Sequence, residues 1–356
     1  MTEALRILFV VPFPLEERRG NSVSSARHAA SLRAAGHPVE VVVASDEDAV
    51  RAAARDRRPD VVHAIHAFRA GPVAARAAAE AGVPLIVSFR GTDSRAGLED
   101  ASLRPLVERA VASAARVTAL TVDEAERVLG AFPALRGRVS VVTHAVEVPE
   151  IDRAAARRAL GFGDGDFVVA HVAGIRRVKG FPDAWSLADA LHDAEPAVRY
   201  VHAGPLLEPD LGPAADAWFA ARPWTLRLGA VPRDDVLRAL AAADVSFHAS
   251  FVEGLSNALL ESMALGTVPL ARDIPASRAA VTDGVDGLLF RDTAGAVTSL
   301  GRLRAESGLS ARLRAAARRT VAARFSSAAE TAGYLRVYGE ALAAVRSGDG
   351  EVAPGT

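Results

Sequence analysis

The chain contains one lysine, Lys179, among its 42 lysine and arginine residues. It lies in the sequence RRVKGF at 176–181, soon after a hydrophobic run that is typical of a buried strand. Chance could leave one lysine in an arginine-rich chain, so its position gains meaning only if its neighbours indicate the same chemistry. An ammonium group is a compact point charge, whereas a guanidinium group is a planar fork. A lysine at a strand end is suited to binding phosphate.

Two glutamates separated by seven residues form a second candidate site. Glu253 and Glu261 lie in FVEGLSNALLESMALGTVP at 251–269, where Ser256 is the predicted N-cap of a helix that begins at Asn257. The first turn of such a helix offers free N–H groups and a positive dipole end to a phosphate or an oxygen-rich sugar. The spacing puts Glu253 in the loop and Glu261 on the helix. A glutamate near a helix N-terminus can also be a simple dipole partner.

Both candidate sites depend on strands that end beside them. Short β-branched runs alternate with alanine-rich stretches, which is the pattern of parallel sheets covered by helices on both faces. The sequence therefore predicts an α/β fold with two Rossmann-like, doubly wound domains that face an interdomain cleft, with ligands beyond the carboxyl ends of the strands. The predicted strands are 6–13, 39–45, 60–66, 84–89, 117–121, 139–145, 167–174, 198–204, 225–231, 244–250 and 267–273.

The bulk composition excludes several classes of function. A formal net charge of −1 and a pI near 6.8 argue against a broad surface for nucleic acid. The absence of cysteine excludes disulfides, thiolate metal sites and a cysteine nucleophile. No apolar run approaches the ~20 residues that cross a bilayer, and the N-terminal sequence does not have the layout of a signal peptide. We therefore expect a cytoplasmic protein without a transmembrane segment.

The second half of the chain resembles one family of enzymes. The run EGLSNALLESMA at 253–264 is similar to the E-x7-E signature of retaining glycosyltransferases of family 4 type, which use nucleotide sugars and have the GT-B fold. The segment at 266–290 resembles the sequence that follows this signature in the family. GIRRVKG at 174–180 is similar to the family's G-R-x-x-x-x-K-G strand end, but it is one residue shorter and has Ile175 where the arginine usually stands.

The resemblance implies binding roles for residues of the second half. Lys179 would hold the donor diphosphate together with either Arg176 or Arg177, and Glu261 would hydrogen-bond the ribose hydroxyls. Glu253 would contact hydroxyls of the donor sugar. The remaining implied donor-binding residues are Gly254, Leu255, Ser256 and Asn257. Fixed cations stabilise a departing diphosphate without a metal, so we expect no metal and no cofactor other than the nucleotide-sugar co-substrate.

The start of the first half resembles the family more weakly. The segment at 15–42 is similar to the family's glycine loop and first helix, which would bring Gly20 and Asn21 to the donor diphosphate, although the usual double glycine is missing. The alternative is an ordinary loop before a helix.

PDVVHAIHA at 59–67 resembles the family's D-V-V-H-x-H segment. His63 and His66 are three residues apart and would point to opposite faces of a continuing strand, so we do not expect a zinc pair. We expect one structural histidine and one on the acceptor side.

The stretch SFRGTDSRAG at 88–97 brings polar residues to the end of another predicted strand. In the family this loop often contains a histidine or an aspartate beside the transferred sugar. Asp93 is therefore the candidate for contact with the sugar or the acceptor, with Arg90 and Thr92 beside it. The alternative for Asp93 is an Asx turn.

These observations predict transfer of a sugar, with retention, from a nucleoside-diphosphate sugar to a small molecule. We expect UDP, with GDP as the second choice, and an oxygen, sulfur or selenium nucleophile. GN-x-V-S-S-A-R, FRGTD and GIRRVKG together resemble a subgroup that includes selenosugar synthases. A UDP-sugar epimerase or hydrolase with the same fold, or a non-catalytic protein that binds a sugar or nucleotide, are the alternatives.

The resemblance also implies a division into domains. An acceptor-side domain would span 1–150, and a nucleotide-sugar-binding domain would span 151–325. A helix over 326–345 would cross back to the N-terminal domain, and we predict a flexible tail over 346–356.

Overall fold

The computed structural model describes residues 4–16 and 20–347. Contacts divide the chain into two compact units, of which the first comprises Met1–Ala145 and Phe325–Thr356 and the second comprises Val146–Arg324. Each unit is built around a six-stranded sheet in which the neighbouring strands are parallel. The prediction of two doubly wound, Rossmann-like α/β domains is confirmed. Of the tail predicted over 346–356, residues 348–356 lie outside the described residues.

The first sheet has the strand order β2-β1-β3-β4-β5-β6. Its strands are β1 (Ile7–Val11), β2 (Val39–Val43), β3 (Val61–Ile65), β4 (Leu85–Ser88), β5 (Ala114–Ala119) and β6 (Val139–Val141). The helices of this unit are α1 (Gly20–Ala34), α2 (Glu47–Arg57), α3 (Gly71–Ala81), α4 (Ala96–Glu99), α5 (Arg104–Ala112), α6 (Val122–Ala131) and α15 (Ser327–Arg346).

The side chains of β1 show how helices cover both faces of this sheet. Leu8 and Val10 pack with residues of α2, α3 and α5, whereas Ile7, Phe9 and Val11 pack with residues of α1 and α15. All five side chains are buried, as expected for a strand in the middle of a parallel sheet. This burial on both faces explains why the strand is a continuous hydrophobic run in the sequence.

Helix α15 completes the first unit although it follows the second unit in the chain. Ser326 is its N-cap, and the Ser326 hydroxyl accepts a hydrogen bond from the N–H of Ala329 at 3.3 Å. Tyr334 and Tyr338 are fully buried in the apolar layer beside α1. Within residues 4–16 and 20–347, none of the helices combines the length and the apolar character that a membrane span requires.

The second sheet has the order β12-β11-β10-β7-β8-β9. Its strands are β7 (Phe167–Val172), β8 (Val198–Ala203), β9 (Thr225–Gly229), β10 (Val245–His248), β11 (Val268–Arg272) and β12 (Leu288–Phe290). The helices are α7 (Arg153–Ala159), α8 (Asp183–Ala194), α9 (Gly212–Ala220), α10 (Arg233–Ala242), α11 (Asn257–Leu265), α12 (Pro275–Ala280), α13 (Thr293–Ala305) and α14 (Leu309–Arg324). The sequence did not predict β12.

The order of the strands identifies the crevice of the second unit. Strand β7 pairs with β8 on one side and with β10 on the other, so the direction in which the chain adds strands reverses between β7 and β10. At such a reversal the loops that follow the two strands separate, and ligands bind in the crevice beyond the carboxyl ends. The loops that carry Lys179 and Glu253 follow these two strands.

Candidate functional site

The ends of β7 and β10 bring Lys179 and Glu253 into contact. Lys179 ends a short 3-10 helix, Arg177–Lys179, that follows β7. Its Nζ donates a hydrogen bond to Oε1 of Glu253, and the hydroxyl of Ser250 donates to the same oxygen at 3.0 Å. Only 17% of the Lys179 side chain and 18% of the Glu253 side chain are exposed. The only lysine of the chain and the first glutamate of the E-x7-E pattern therefore form one half-buried ion pair.

Gly180 fixes the position of the lysine loop. Its φ of +89° lies in the left-handed region, and a Cβ atom at this position would lie 2.3 Å from the carbonyl oxygen of Ala249. The N–H of Phe251 also donates to the carbonyl oxygen of Val178 at 3.1 Å. Only glycine allows the loop after β7 to approach the end of β10 so closely.

Three buried histidines lie in the same unit as this ion pair. Burial lowers the pKa of His202 to about 4, and burial together with the charge of Lys179 lowers the pKa of His248 to about 3. Burial, followed by the neighbouring histidines and Lys179, lowers the pKa of His171 well below its usual value. These rings are therefore neutral near pH 7 and add no positive charge to the environment of the ion pair.

Helix α11 begins beside Glu253. Ser256 is its N-cap, with the N–H of Leu259 donating to the Ser256 hydroxyl at 3.4 Å. A small cavity of about 10 Å³, enough for about one water molecule, adjoins His248, Ser250, Glu253, Ser256, Leu259, Ala276 and Ser277. Oδ1 of Asn257 is buried without a hydrogen-bond partner among the described residues. The start of α11 therefore offers backbone N–H groups and an unpaired amide oxygen next to the ion pair.

Arg233 holds the second glutamate of the pattern. Its Nη2 and Nε donate to Oε1 of Glu261 at 2.9 and 3.2 Å, and Nη2 also donates to the carbonyl oxygen of Glu147 at 2.8 Å. Arg233 is the first residue of α10, which follows β9, and it was not among the residues predicted from the sequence. The sequence signal that could have indicated Arg233 is its position in VPRDD at 231–235, at the end of the predicted strand at 225–231. Glu261 is thus fixed by a neighbour rather than oriented by its own helix alone.

The two adjacent arginines before Lys179 have different environments. Arg177 is exposed, and its guanidinium binds Asp210 and also Glu208, the latter at 2.6 Å; Asp210 first and then Glu208 raise the pKa of Arg177. Arg176 is half-buried in an extended conformation, and its Nε is buried without a hydrogen-bond partner among the described residues. Arg177 is therefore already paired, whereas Arg176 retains hydrogen-bonding capacity.

Asp93 organises a buried loop of the first unit. Its Oδ1 accepts from the N–H of Arg90 and its Oδ2 accepts from the N–H of Ala67, both at 2.7 Å, and Nδ1 of His66 lies 3.4 Å from Oδ2. The Asp93 side chain is fully buried. These contacts give Asp93 a structural role, and contact with a sugar or an acceptor stays a prediction.

We expect Asp93→Ala to destabilise the first unit by about 2–4 kcal/mol, because two buried backbone N–H groups lose their acceptor. Calorimetric unfolding of the variant measures this loss. Asp123→Ala is the matched control, since this aspartate pairs with Arg127 at the surface and its loss should cost less than about 0.5 kcal/mol. Wild-type stability combined with lost activity would instead identify Asp93 as a catalytic residue.

His63 is a core residue of the first sheet. Its Nδ1 lies 2.8 Å from the hydroxyl of Tyr338 and its Nε2 lies 2.6 Å from the hydroxyl of Ser88. Burial lowers its pKa well below the usual value, so it is neutral. His66 follows β3 with an unusual φ of +109° and also lies in a buried environment. Within residues 4–16 and 20–347, no cluster of three or more histidine or carboxylate residues could hold a metal ion.

Arg90 is a buried cation with incomplete hydrogen bonding. Its Nη2 donates to the hydroxyl of Tyr334 at 3.3 Å, whereas Nε and Nη1 are buried without a hydrogen-bond partner among the described residues. Burying a charge in this way is costly unless an opposite charge or hydrogen-bond acceptors compensate it. The neighbouring Thr92 is exposed.

The first-unit residues predicted to approach the donor lie at the start of α1. Gly20 is the first residue of this helix, and the carbonyl oxygen of Asn21 accepts from the Ser24 hydroxyl at 3.1 Å. Residues 17–19 of the preceding loop lie outside the described residues. A role of Gly20 and Asn21 in donor binding stays a prediction.

Solved structures share the fold of this chain. The Anabaena protein HepE, in complex with UDP, superposes with a TM-score of 0.79 at 20% identity, covering 94% of this chain and 100% of that chain. Sucrose-phosphate synthase from Thermosynechococcus elongatus superposes with a TM-score of 0.79 at 15% identity, covering 96% of this chain and 100% of that chain. At these identities the likeness concerns the fold alone, which is that of GT-B glycosyltransferases.

Sequence comparison then gives the family. The family described as "Glycosyl transferases group 1" matches residues 152–320, and the "Glycosyl transferase 4-like domain" matches residues 45–143. The D-inositol 3-phosphate glycosyltransferase of Acidothermus cellulolyticus is 30% identical over 322 residues, covering 81% of this chain and 68% of the relative. The chain therefore belongs to the group 1 glycosyltransferases.

Other relatives are matched over a smaller part of their length. The D-inositol 3-phosphate glycosyltransferase of Nocardia farcinica is 33% identical over 249 residues, which cover 65% of this chain and 54% of the relative. The match to the Salinispora arenicola protein of the same name, at 32% identity, covers 69% of this chain and 59% of that relative. These relatives do not support the narrower resemblance to selenosugar synthases.

Proposed function

We propose that the protein transfers a sugar, with retention of configuration, from UDP-sugar to a small-molecule acceptor and needs no metal. The observation that carries this proposal is the contact between Lys179 and Glu253 at the crevice between β7 and β10. The N-terminus of α11 and the partly unpaired guanidinium of Arg176 provide further groups for a diphosphate.

Donor binding would exchange the partner of Lys179. The Nζ atom would leave Glu253 and donate to an oxygen of the diphosphate, with Arg176 as the second cation. Glu253 would then accept from hydroxyls of the donor sugar. As the bond between the anomeric carbon and the phosphate oxygen breaks, negative charge grows on the diphosphate, and positioned cations stabilise it.

The acceptor would attack the face of the sugar from which the diphosphate departs. Its nucleophile bonds to the anomeric carbon, and its proton passes to the departing phosphate oxygen. This path keeps the configuration and requires no separate general base. It is consistent with the low pKa of His248, which makes this buried histidine beside the small cavity at Glu253 a weak base.

Glu261 would recognise the nucleotide. We infer that its carboxylate, held by Arg233, accepts from the hydroxyls of the ribose. We propose UDP as the donor nucleotide, with GDP as the second choice, because a solved structure with the same fold is a complex with UDP.

For the acceptor, we propose a small molecule with an oxygen, sulfur or selenium nucleophile and a negatively charged group. The relatives are named for an acceptor that carries a phosphate, D-inositol 3-phosphate.

Calorimetric titration with UDP, GDP, ADP, dTDP and NAD in the presence of EDTA tests the proposal. We expect UDP to bind, and Glu261→Ala to weaken it roughly 10–100-fold, because a hydrogen bond to a charged group is lost. Glu306→Ala is the control, since this glutamate pairs with Arg302 at the surface. Binding of NAD alone, or of no nucleotide, would contradict the proposal. Conversion of a UDP-sugar without any acceptor would instead favour the epimerase or hydrolase.

A further inference from the structure

A groove of about 700 Å³ lies at the edge of the first sheet opposite the carboxyl ends of its strands. Its walls come from the residues that precede β1, β3 and β4 and from the C-terminal parts of α2, α3 and α15. Five arginines line it, and we call it the arginine groove: Arg6, Arg51, Arg55, Arg58 and Arg346. Substrates of doubly wound sheets bind at the carboxyl ends of strands, so the groove is separate from the proposed reaction site.

Two of these arginines are paired with the two carboxylates that line the groove. Nη2 of Arg6 lies 2.9 Å from Asp60. Arg51 binds both oxygens of Glu80 at 3.0 Å, in the bidentate geometry that fixes a guanidinium most firmly. The lining therefore carries more positive than negative charge.

The excess charge comes from Arg55, Arg58 and Arg346. Among the described residues, Arg55 forms an ion pair only with its neighbour Asp56, at 3.1 Å on the exposed surface. Arg58 and Arg346 are exposed and have neither an ion pair nor a side-chain hydrogen bond within residues 4–16 and 20–347. Guanidinium groups in this state can donate to an added anion without losing a partner.

The backbone of Arg58 adds a second observation. Arg58 has φ of +46° and ψ of +62°, in the left-handed region where the C-terminal end of a helix usually has glycine. An L-residue with a side chain adopts this conformation at an energetic cost. A helix-capping role would be served better by glycine, so the arginine side chain indicates a separate requirement at this position. The helix dipole also attracts cations to the ends of α2 and α15, where Arg55, Arg58 and Arg346 lie, but it does not account for the left-handed backbone of Arg58.

The floor of the groove is apolar. Ala54, Pro59 and Pro84 are buried in it, and Leu342 and Val345 of α15 form one side. The volume is within the range of about 300–1,000 Å³ that is typical of small-molecule sites. An apolar floor with a rim of guanidinium groups suits an organic anion whose phosphate groups contact the rim.

We propose that the arginine groove binds a phosphate-bearing anion at a site distinct from the donor site. Arg58 and Arg346 donate to the phosphate oxygens, while Arg6 and Arg51, held by their carboxylates, line the remainder of the rim. A soluble phosphate compound and a phospholipid headgroup present the same chemistry to these groups.

The test compares two probes, inorganic tripolyphosphate in solution and vesicles of phosphatidylglycerol. Binding of tripolyphosphate is measured by calorimetry, and binding of vesicles is measured by co-sedimentation. The variant is Arg58→Gln with Arg346→Gln, which removes the two unpaired charges and no ion pair. The matched control is Arg136→Gln with Arg319→Gln, which removes two exposed arginines outside the groove. Both variants are also measured in a Lys179→Ala background, because Lys179 is proposed to bind the donor diphosphate and would otherwise bind tripolyphosphate as well.

We expect the groove variant to bind at least one of the probes about tenfold or more weakly than the wild type, since two charge-assisted contacts are lost. The control should retain that binding, and the groove variant should still lose it in the Lys179→Ala background. Loss confined to tripolyphosphate identifies a soluble ligand, and loss confined to vesicles identifies a lipid headgroup. If neither probe binds, or if the groove variant binds as tightly as the wild type, or if the control is weakened equally, the inference is wrong. The inference about the arginine groove does not depend on the proposed function, so it would stand even if UDP did not bind to the protein.

Discussion

Replacement of Lys179 by alanine is expected to lower the rate at which UDP is formed from UDP-sugar by about 10²–10³-fold. The reason is that the variant lacks the fixed positive charge that stabilises the departing diphosphate. Lys179→Arg should also be damaging. The lysine loop is packed against the end of β10, and a planar guanidinium requires more space than an ammonium group. Steady-state kinetics of the purified variants measures both effects.

Two controls separate chemistry from stability in this experiment. Arg177→Ala removes an adjacent cation that is exposed and already paired with Glu208 and Asp210, and it should retain most of the activity. Lys179→Ala leaves Glu253 half-buried without its cation, which can destabilise the fold. The double variant Lys179→Ala, Glu253→Gln removes that charge, so it should regain stability without regaining activity. Full activity of Lys179→Ala would show that the only lysine of the chain has no role in the reaction.

Replacement of Gly180 by alanine is expected to destabilise the second unit by roughly 3 kcal/mol or more and to reduce turnover about 10²-fold. The methyl group would meet the carbonyl oxygen of Ala249 at 2.3 Å, and the φ of +89° would become unfavourable. The lysine loop must then move away from β10, and a displacement of about 1 Å at a reacting group can cost this factor in rate. Thermal unfolding and kinetics measure the two effects.

Gly284→Ala is the matched control for this variant. Gly284 belongs to the same unit and has φ of +71°, but a Cβ there would meet no atom within 4 Å. The free energy of unfolding of this variant should fall only by the cost of the unfavourable φ, about 1–2 kcal/mol, and its activity should be unchanged. Equal losses in the two variants would mean that the close approach to Ala249 does not position Lys179.

The sequence was most informative about elements whose two faces are both buried. β7 is hydrophobic except for His171, and β10 is fully buried although it contains Ser246 and His248, because both strands lie in the middle of a parallel sheet. β12 was missed because Leu288–Phe290 is only three residues long at the sheet edge. β5 begins at Ala114, three residues before the predicted start at residue 117. The early part was missed because alanine and arginine, which occupy 114–116, are both good helix formers.

The candidate site was predictable where a residue's role depends on the local chain. Lys179 and Glu253 follow strands that could be identified, and Ser256 caps its helix as predicted. The pairing of Glu261 with Arg233 was not predictable, because it joins residues 28 positions apart through the packing of α10 and α11. The choice between Arg176 and Arg177 depended on Glu208, a residue that the fold alone brings near.

The position of α15 has a consequence for synthesis on the ribosome. Domains generally fold as the chain emerges, with N-terminal domains first. The second unit is one continuous segment, whereas the apolar layer of the first unit requires Tyr334, Val337 and Tyr338. The first unit therefore cannot finish folding until α15, which follows the second unit in the chain, has emerged. A nascent chain that stops before α15 would expose the face of the first sheet that this helix covers.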